Sequence, residues 1–201
     1  MKKYILFLLI ISSCQKLKVE NKNAGAENDS LKTILVENNS STRGVEFVKN
    51  SLHRKFFNSD KIEHYYLDIS EDAAIDLDQK KTHDSKILAS LLMSGYPKTL
   101  VEPNLEKNLK KFKFVKTILS PQKKTEVENI FSEKDSIQTV VSGCIPYYRD
   151  IFIFKRNDTI TGIAKVCFGC GVSQFHGTKI ETGGFGLQSE LEKLKKIIRE
   201  K

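Results

Sequence analysis

Three cysteines in the last third of the chain carry its most distinctive chemistry. Cys144 opens the run C-I-P-Y-Y-R-D, and Cys167 and Cys170 stand in V-C-F-G-C-G. Three arrangements compete for them. A Cys144–Cys170 disulfide would act as a staple of about 2–4 kcal/mol, leaving Cys167 as a small buried hydrophobe. Cys144, Cys167, Cys170 and His176 would instead make a tetrahedral zinc set, half of it a C-x-x-C knuckle. As a third arrangement, Cys167-Phe168-Gly169-Cys170 has the spacing of a thiol redox motif. That chemistry needs a helix N-terminus after the first cysteine to lower its pKa, and Gly171-Val172-Ser173 is a poor helix start. No cofactor is expected beyond zinc on that set.

Whether the sulfurs meet depends on a hairpin. Residues 147–155 and 160–168 read as strands, with the polar Arg156-Asn157-Asp158-Thr159 between them as the turn. A two-residue turn at Asn157-Asp158 puts Asp150 opposite Lys165, Tyr148 opposite Cys167 and Cys144 opposite Gly171. A three-residue turn puts Cys144 opposite Cys170 itself. Either register predicts three sulfurs at the open end of the hairpin, with Pro146 distorting the pairing just before it. Tyr148, Arg149 and Asp150 lie beside that end and are the candidate ligand contacts. Arg149 and Asp150 alternate across the strand and point to opposite faces, so the simpler expectation is that they close off the sheet edge.

Other residues offer less. His53, His64, His83 and His176 are scattered, and no serine sits in a G-x-S-x-G elbow, so no catalytic residue is assigned. Asp72, Asp76 and Asp78 lack the glycine and the frame of a calcium loop and read as a solvated acidic face. Thr182-Gly183-Gly184-Phe185-Gly186 lacks the lysine and spacing of a phosphate loop and reads as a flexible connector.

The elements that would position these groups follow from periodicity. Val45, Val48, Leu52 and Phe56 predict a first amphipathic helix. Residues 65–69 suit a strand. Asp84 reads as the N-cap of a helix over 85–94, with Ile87, Leu88, Leu91 and Leu92 as its stripe and Gly95 and Pro97 as its stop. A helix over 104–111 follows, then an alternating piece through Phe112, Phe114 and Ile118. Ser120-Pro121 starts another helix with Val127, Ile130 and Phe131 inward. Residues 137–141 suggest a strand, and Leu187, Leu191, Leu194, Ile197 and Ile198 form a closing helical stripe. Ile151-Phe152-Ile153-Phe154 is apolar on both faces, which calls for a central strand covered by helices. The fold class is α+β, a small antiparallel sheet with the C-terminal hairpin central, packed by amphipathic helices.

At the other end, Met1-Lys2-Lys3, an apolar run from Tyr4 to Ile11 and Ser12-Ser13-Cys14 have the layout of a secretory signal, too short to span a bilayer. The I-S-S-C ending resembles a bacterial lipobox. That resemblance implies cleavage before Cys14, a diacylglyceryl thioether on its sulfur and acylation of its amine, so that Cys14 anchors the chain to a lipid bilayer. Gln15 differs from the aspartate of an inner-membrane retention signal, which implies the outer membrane, facing the periplasm. The pairing of C-x-P-x-Y-R-D with C-F-x-C also resembles small bacterial lipoproteins of the same layout, a likeness that brings no activity with it.

The expected organisation is a signal over 1–13, a lipidated cysteine and flexible polar tether over 14–44, and a single domain over 45–201. The formal charge of +8 becomes +6 once Lys2 and Lys3 leave with the signal. It is spread as Lys/Glu mixtures with no basic stripe interleaved with stacking aromatics, which excludes nucleic acid as an expected partner. The reading is a lipid-anchored envelope protein that binds or scaffolds an envelope protein or glycan. The alternative is a thiol-redox or zinc-binding protein centred on the three C-terminal cysteines.

Overall fold

The computed structural model describes residues 32–34, 46–48, 53–138 and 143–200. The signal, Cys14 and the tether, apart from residues 32–34, lie outside them, as do residues 139–141 of the strand expected over 137–141. In chain order the elements are β1 (Lys32–Ile34), β2 (Glu46–Val48), β3 (Lys61–Tyr66), α1 (Glu71–Gln79), α2 (His83–Met93), α3 (Leu105–Lys111) and β4 (Val115–Ile118). They continue with α4 (Pro121–Ile130), β5 (Ser136–Gln138), β6 (Asp150–Arg156), β7 (Thr159–Cys167), β8 (Val172–His176) and α5 (Gln188–Arg199).

A five-stranded antiparallel sheet in the order β4-β3-β6-β7-β8 forms the centre of an α+β domain, with the C-terminal hairpin in its middle. Alternation along β6 fills both faces. Phe152 and Phe154 join Ile62, Ala164 and Val166 under α4 and α5, where Val127, Ile130, Leu191 and Leu194 meet them. Ile151 and Ile153 join Tyr65 and Ile163 under α1, α2 and α3, where Ala74, Leu91, Leu92, Leu105 and Leu109 meet them. β1, β2 and β5 form a separate three-stranded antiparallel sheet. Among the described residues no helix is long and apolar enough to cross a membrane.

Local signals account for most helix ends. Ser120 Oγ accepts from Lys123 N, with Pro121 at the first helical position of α4. α2 begins two residues earlier than expected, because Thr82 and not Asp84 is its N-cap, accepting from Ser85 N at 3.1 Å. α1 was not expected at all: Ser70 caps it from Ala73 N, Glu71 and Asp72 occupy its first turn, and Ala74 is fully buried.

The first expected helix, 45–56, is not found where the chain is described, at 46–48 and 53–56; residues 45 and 49–52 lie outside the described residues. Residues 46–48 pair with 136–138, Lys55 bridges Ser132, and Phe56 N donates to Phe131 O at 2.8 Å. Partners some eighty residues away supply these backbone hydrogen bonds, and the extended chain delivers both Phe56 and Phe57 to the core, where a helix would turn one of them outward. The strand expected over 65–69 lies at 61–66 instead. The glycine-rich connector is pinned by Phe185, stacked on Phe131 at 4.9 Å. Gly186, at φ +108, passes Gly171 O so closely that a Cβ there would lie 3.0 Å from it.

Candidate functional site

The hairpin turns through Asn157 and Asp158, both at positive φ, as a two-residue primed turn requires. The register it sets lasts for two pairs. Thr161 is then an extra residue on β7, and beyond it Asp150 faces Val166 while Lys165 faces Ile151. The expected Asp150–Lys165 and Tyr148–Cys167 pairings are therefore displaced by one residue.

A second irregularity shapes the open end. Past Asp150 the chain makes room for two residues that leave the ladder: Tyr148 N donates to Leu92 O at 2.7 Å and Arg149 N to Tyr147 O at 3.0 Å. Tyr147 N then donates to Cys167 Sγ at 3.4 Å, and three residues on Cys144 forms a disulfide with Cys170, their Cα atoms 5.9 Å apart. Of the three arrangements the sequence leaves open, the structure holds the Cys144–Cys170 staple, reached through irregular chain and not through a continued ladder. Cys167 keeps its thiol and is 5% exposed.

Around this end lies a cleft of about 600 Å³ between α1 and α5, in whose wall all three cysteines take part. Its floor is the terminal pair of β3 and β6, Tyr66 and Asp150. Asp150 is 3% exposed and Oδ1 accepts from Arg199 Nη2 at 2.7 Å and from His64 Nε2 at 2.8 Å. The Arg199 guanidinium also lies 3.8 Å from the centre of the Tyr66 ring. Arg149 reaches into the cleft from the other side and meets Glu71 at 3.4 Å. Lys195, one helical turn before Arg199, has no acidic partner among the described residues.

No family model, curated protein or solved structure matches the chain. Function has to be read from the cleft.

Of the residues singled out in the sequence, Cys144, Cys167, Cys170, Arg149 and Asp150 come together here. Tyr148 does not: it is buried on the α2 side of the sheet beneath Lys165, whose Nζ lies 4.5 Å from its ring centre. His176 does not either. It faces Ile163, four residues along β7 from Cys167, a separation of about 13 Å at strand rise. With Cys144 and Cys170 bonded to each other, the four ligands of the zinc set are not assembled, and no group of three metal-ligating side chains occurs among the described residues. Burial, with Lys165 nearby, holds His176 below the usual histidine range.

Tyr66, Glu71, Lys195 and Arg199 were not singled out. Lys195 and Arg199 stand four apart on the polar side of α5, a spacing that marks a shared helix face. Nothing local says that this face looks into a cleft.

Proposed function

We propose that the chain is a cell-envelope lipoprotein, anchored to the bilayer through Cys14, whose α+β domain binds an anionic group of an envelope glycan or protein in the cleft beside the Cys144–Cys170 disulfide. The observation that carries the binding half is the convergence of Arg149, Lys195 and Arg199 on one concave surface that, among the described residues, holds two carboxylates, Glu71 and Asp150. Asp150 is committed to Arg199 and His64 and fixes the guanidinium in place. Lys195 adds a cation without an acidic partner among the described residues, and Tyr66, Tyr147 and Phe168 give the same surface an apolar component. Fixed donors around a shallow, half-apolar cleft suit recognition of a carboxylate or phosphate on a larger molecule. The anchoring half is supported by the signal layout of residues 1–14.

Inorganic phosphate is the simplest probe. Titrated into the protein at constant ionic strength, it should shift the side-chain NMR signals of Arg149 and Arg199 saturably, and Lys195→Glu should weaken that response by about tenfold, the worth of one charge-assisted hydrogen bond. Shifts no larger than those produced by chloride would overturn the binding reading.

A further inference from the structure

A thiol and a disulfide share one wall of the cleft, and their arrangement carries a second activity, independent of the anion reading. We propose that Cys167 and the Cys144–Cys170 disulfide form a thiol–disulfide exchange centre: the bond migrates to Cys167–Cys170 and releases Cys144 as a surface thiol able to attack a disulfide of a second protein, forming a mixed disulfide and releasing that protein's other sulfur as a thiol.

Cys170 stands between two partners. Across the hairpin mouth Cys144 holds it at a Cα separation of 5.9 Å. Within its own segment, Cys167 and Cys170 are the first and fourth residues of a turn closed by Gly171 N donating to Cys167 O at 3.0 Å. Residues so placed across a turn lie within about 7 Å of each other, close to the Cα separations of about 4.4–6.8 Å that a disulfide spans. Gly171, at φ +68, takes the left-handed conformation that ends the turn, and a Cβ at Gly169 would meet nothing within 4 Å. The turn can thus tighten without a clash at that position.

Burial gives the exchange its direction of use. Cys144 is exposed, Cys170 half-buried and Cys167 buried. At rest the shielded sulfur is the thiol and the accessible one is protected in a bond. Exchange reverses this.

Chemically, the Cys167 thiolate attacks Cys170 Sγ. The Cys167–Cys170 bond forms as the Cys170–Cys144 bond breaks, the electron pair leaves on Cys144 Sγ, and that sulfur takes up the proton Cys167 gave up. One S–S bond and one thiol stand on each side, so no oxidant or reductant is consumed. The 3.4 Å hydrogen bond from Tyr147 N fixes the position of the Cys167 sulfur at the hairpin mouth. The mechanical consequence is local. Tyr148 N remains tied to Leu92 O, and Leu67 N remains tied to Arg149 O, so the core is undisturbed while the chain before Tyr147 loses its covalent fastening.

The test uses the full chain in a glutathione redox buffer, quenched with acid, alkylated and digested with trypsin. Cys144 falls in peptide 135–149 and the other two cysteines share peptide 166–179, so the isomers separate by mass. The expected wild-type result is a minor species, on the order of 1–10%, with Cys144 alkylated and peptide 166–179 unalkylated and lighter by two hydrogens. Cys144→Ser should drive peptide 166–179 almost wholly to that lighter form, while Cys167→Ser should keep the two peptides linked and abolish the minor species. If wild-type chains show only linked peptides with alkylated Cys167, the proposal is overturned, whether or not Cys144→Ser folds.

Discussion

Asp150 and Lys165 are two charged side chains that the sheet buries on opposite faces, and the chain meets their solvation in different ways. Asp150 accepts from Arg199 and His64, so its charge is opposed by a guanidinium and held by a ring N–H. Asp150→Ala should therefore lower stability by about 3 kcal/mol in urea unfolding, mostly through the Arg199 and His64 groups left behind. Lys165 has no carboxylate among the described residues. Its Nζ donates to Ser94 O and Tyr96 O at the end of α2 and lies over the Tyr148 ring, with His176 of β8 near enough to feel its charge. Burial pushes it down to about 7, against about 10.4 in an unfolded chain. Between those values the unfolded chain holds a proton that the folded chain has shed, so stability rises with pH across that window. Lys165→Met should remove that part of the rise in urea midpoints measured from pH 7 to 10. At this scale the sequence was informative about cysteine, whose chemistry belongs to the residue type. It was silent about Lys195 and Arg199, two members of a lysine-rich surface that only the position of α5 makes different.

At the scale of elements, legibility followed the source of the stabilising hydrogen bonds. α3, α4 and α5 were readable because their apolar spacing, and for α4 the Ser120 cap, lie within a dozen residues. α1 left a readable signal in Ser70-Glu71-Asp72, obscured by treating its aspartates as a charge cluster. β8 was missed because Val172 to His176 pair with β7 from the sheet edge and are half-buried throughout, giving no inward-facing run. Residues 45–56 misled because helical spacing was present but distant strands offered the chain a better match. The shift in the start of α2 can be checked directly. Thr82→Ala should cost about 1 kcal/mol, as loss of an N-cap does. Asp84→Ala, which gives up only an exposed contact with Lys111 and a favourable place near the helix start, should cost a few tenths in the same unfolding measurement.

At the scale of the molecule, the cleft exists because a sheet covered on both faces still has an open end, and two helices from opposite faces, α1 and α5, flank that end. If the domain is held at a membrane through Cys14, Cys14→Ala should move the protein from the membrane fraction to the soluble fraction of lysed cells, with its fold unchanged by circular dichroism. Unchanged partitioning would defeat the anchor. The sequence by itself determined the α+β class, the central place of an apolar β6 and a hairpin turn within residues 156–159. Each of these rests on local periodicity or turn chemistry. Only the tertiary structure decided that Thr161 shifts the ladder, that Tyr148 turns inward while Arg149 turns out, and that Arg199 meets Asp150. Those outcomes depend on which distant backbone and side-chain groups compete for the same hydrogen bonds, and that competition is settled only when the chain is packed.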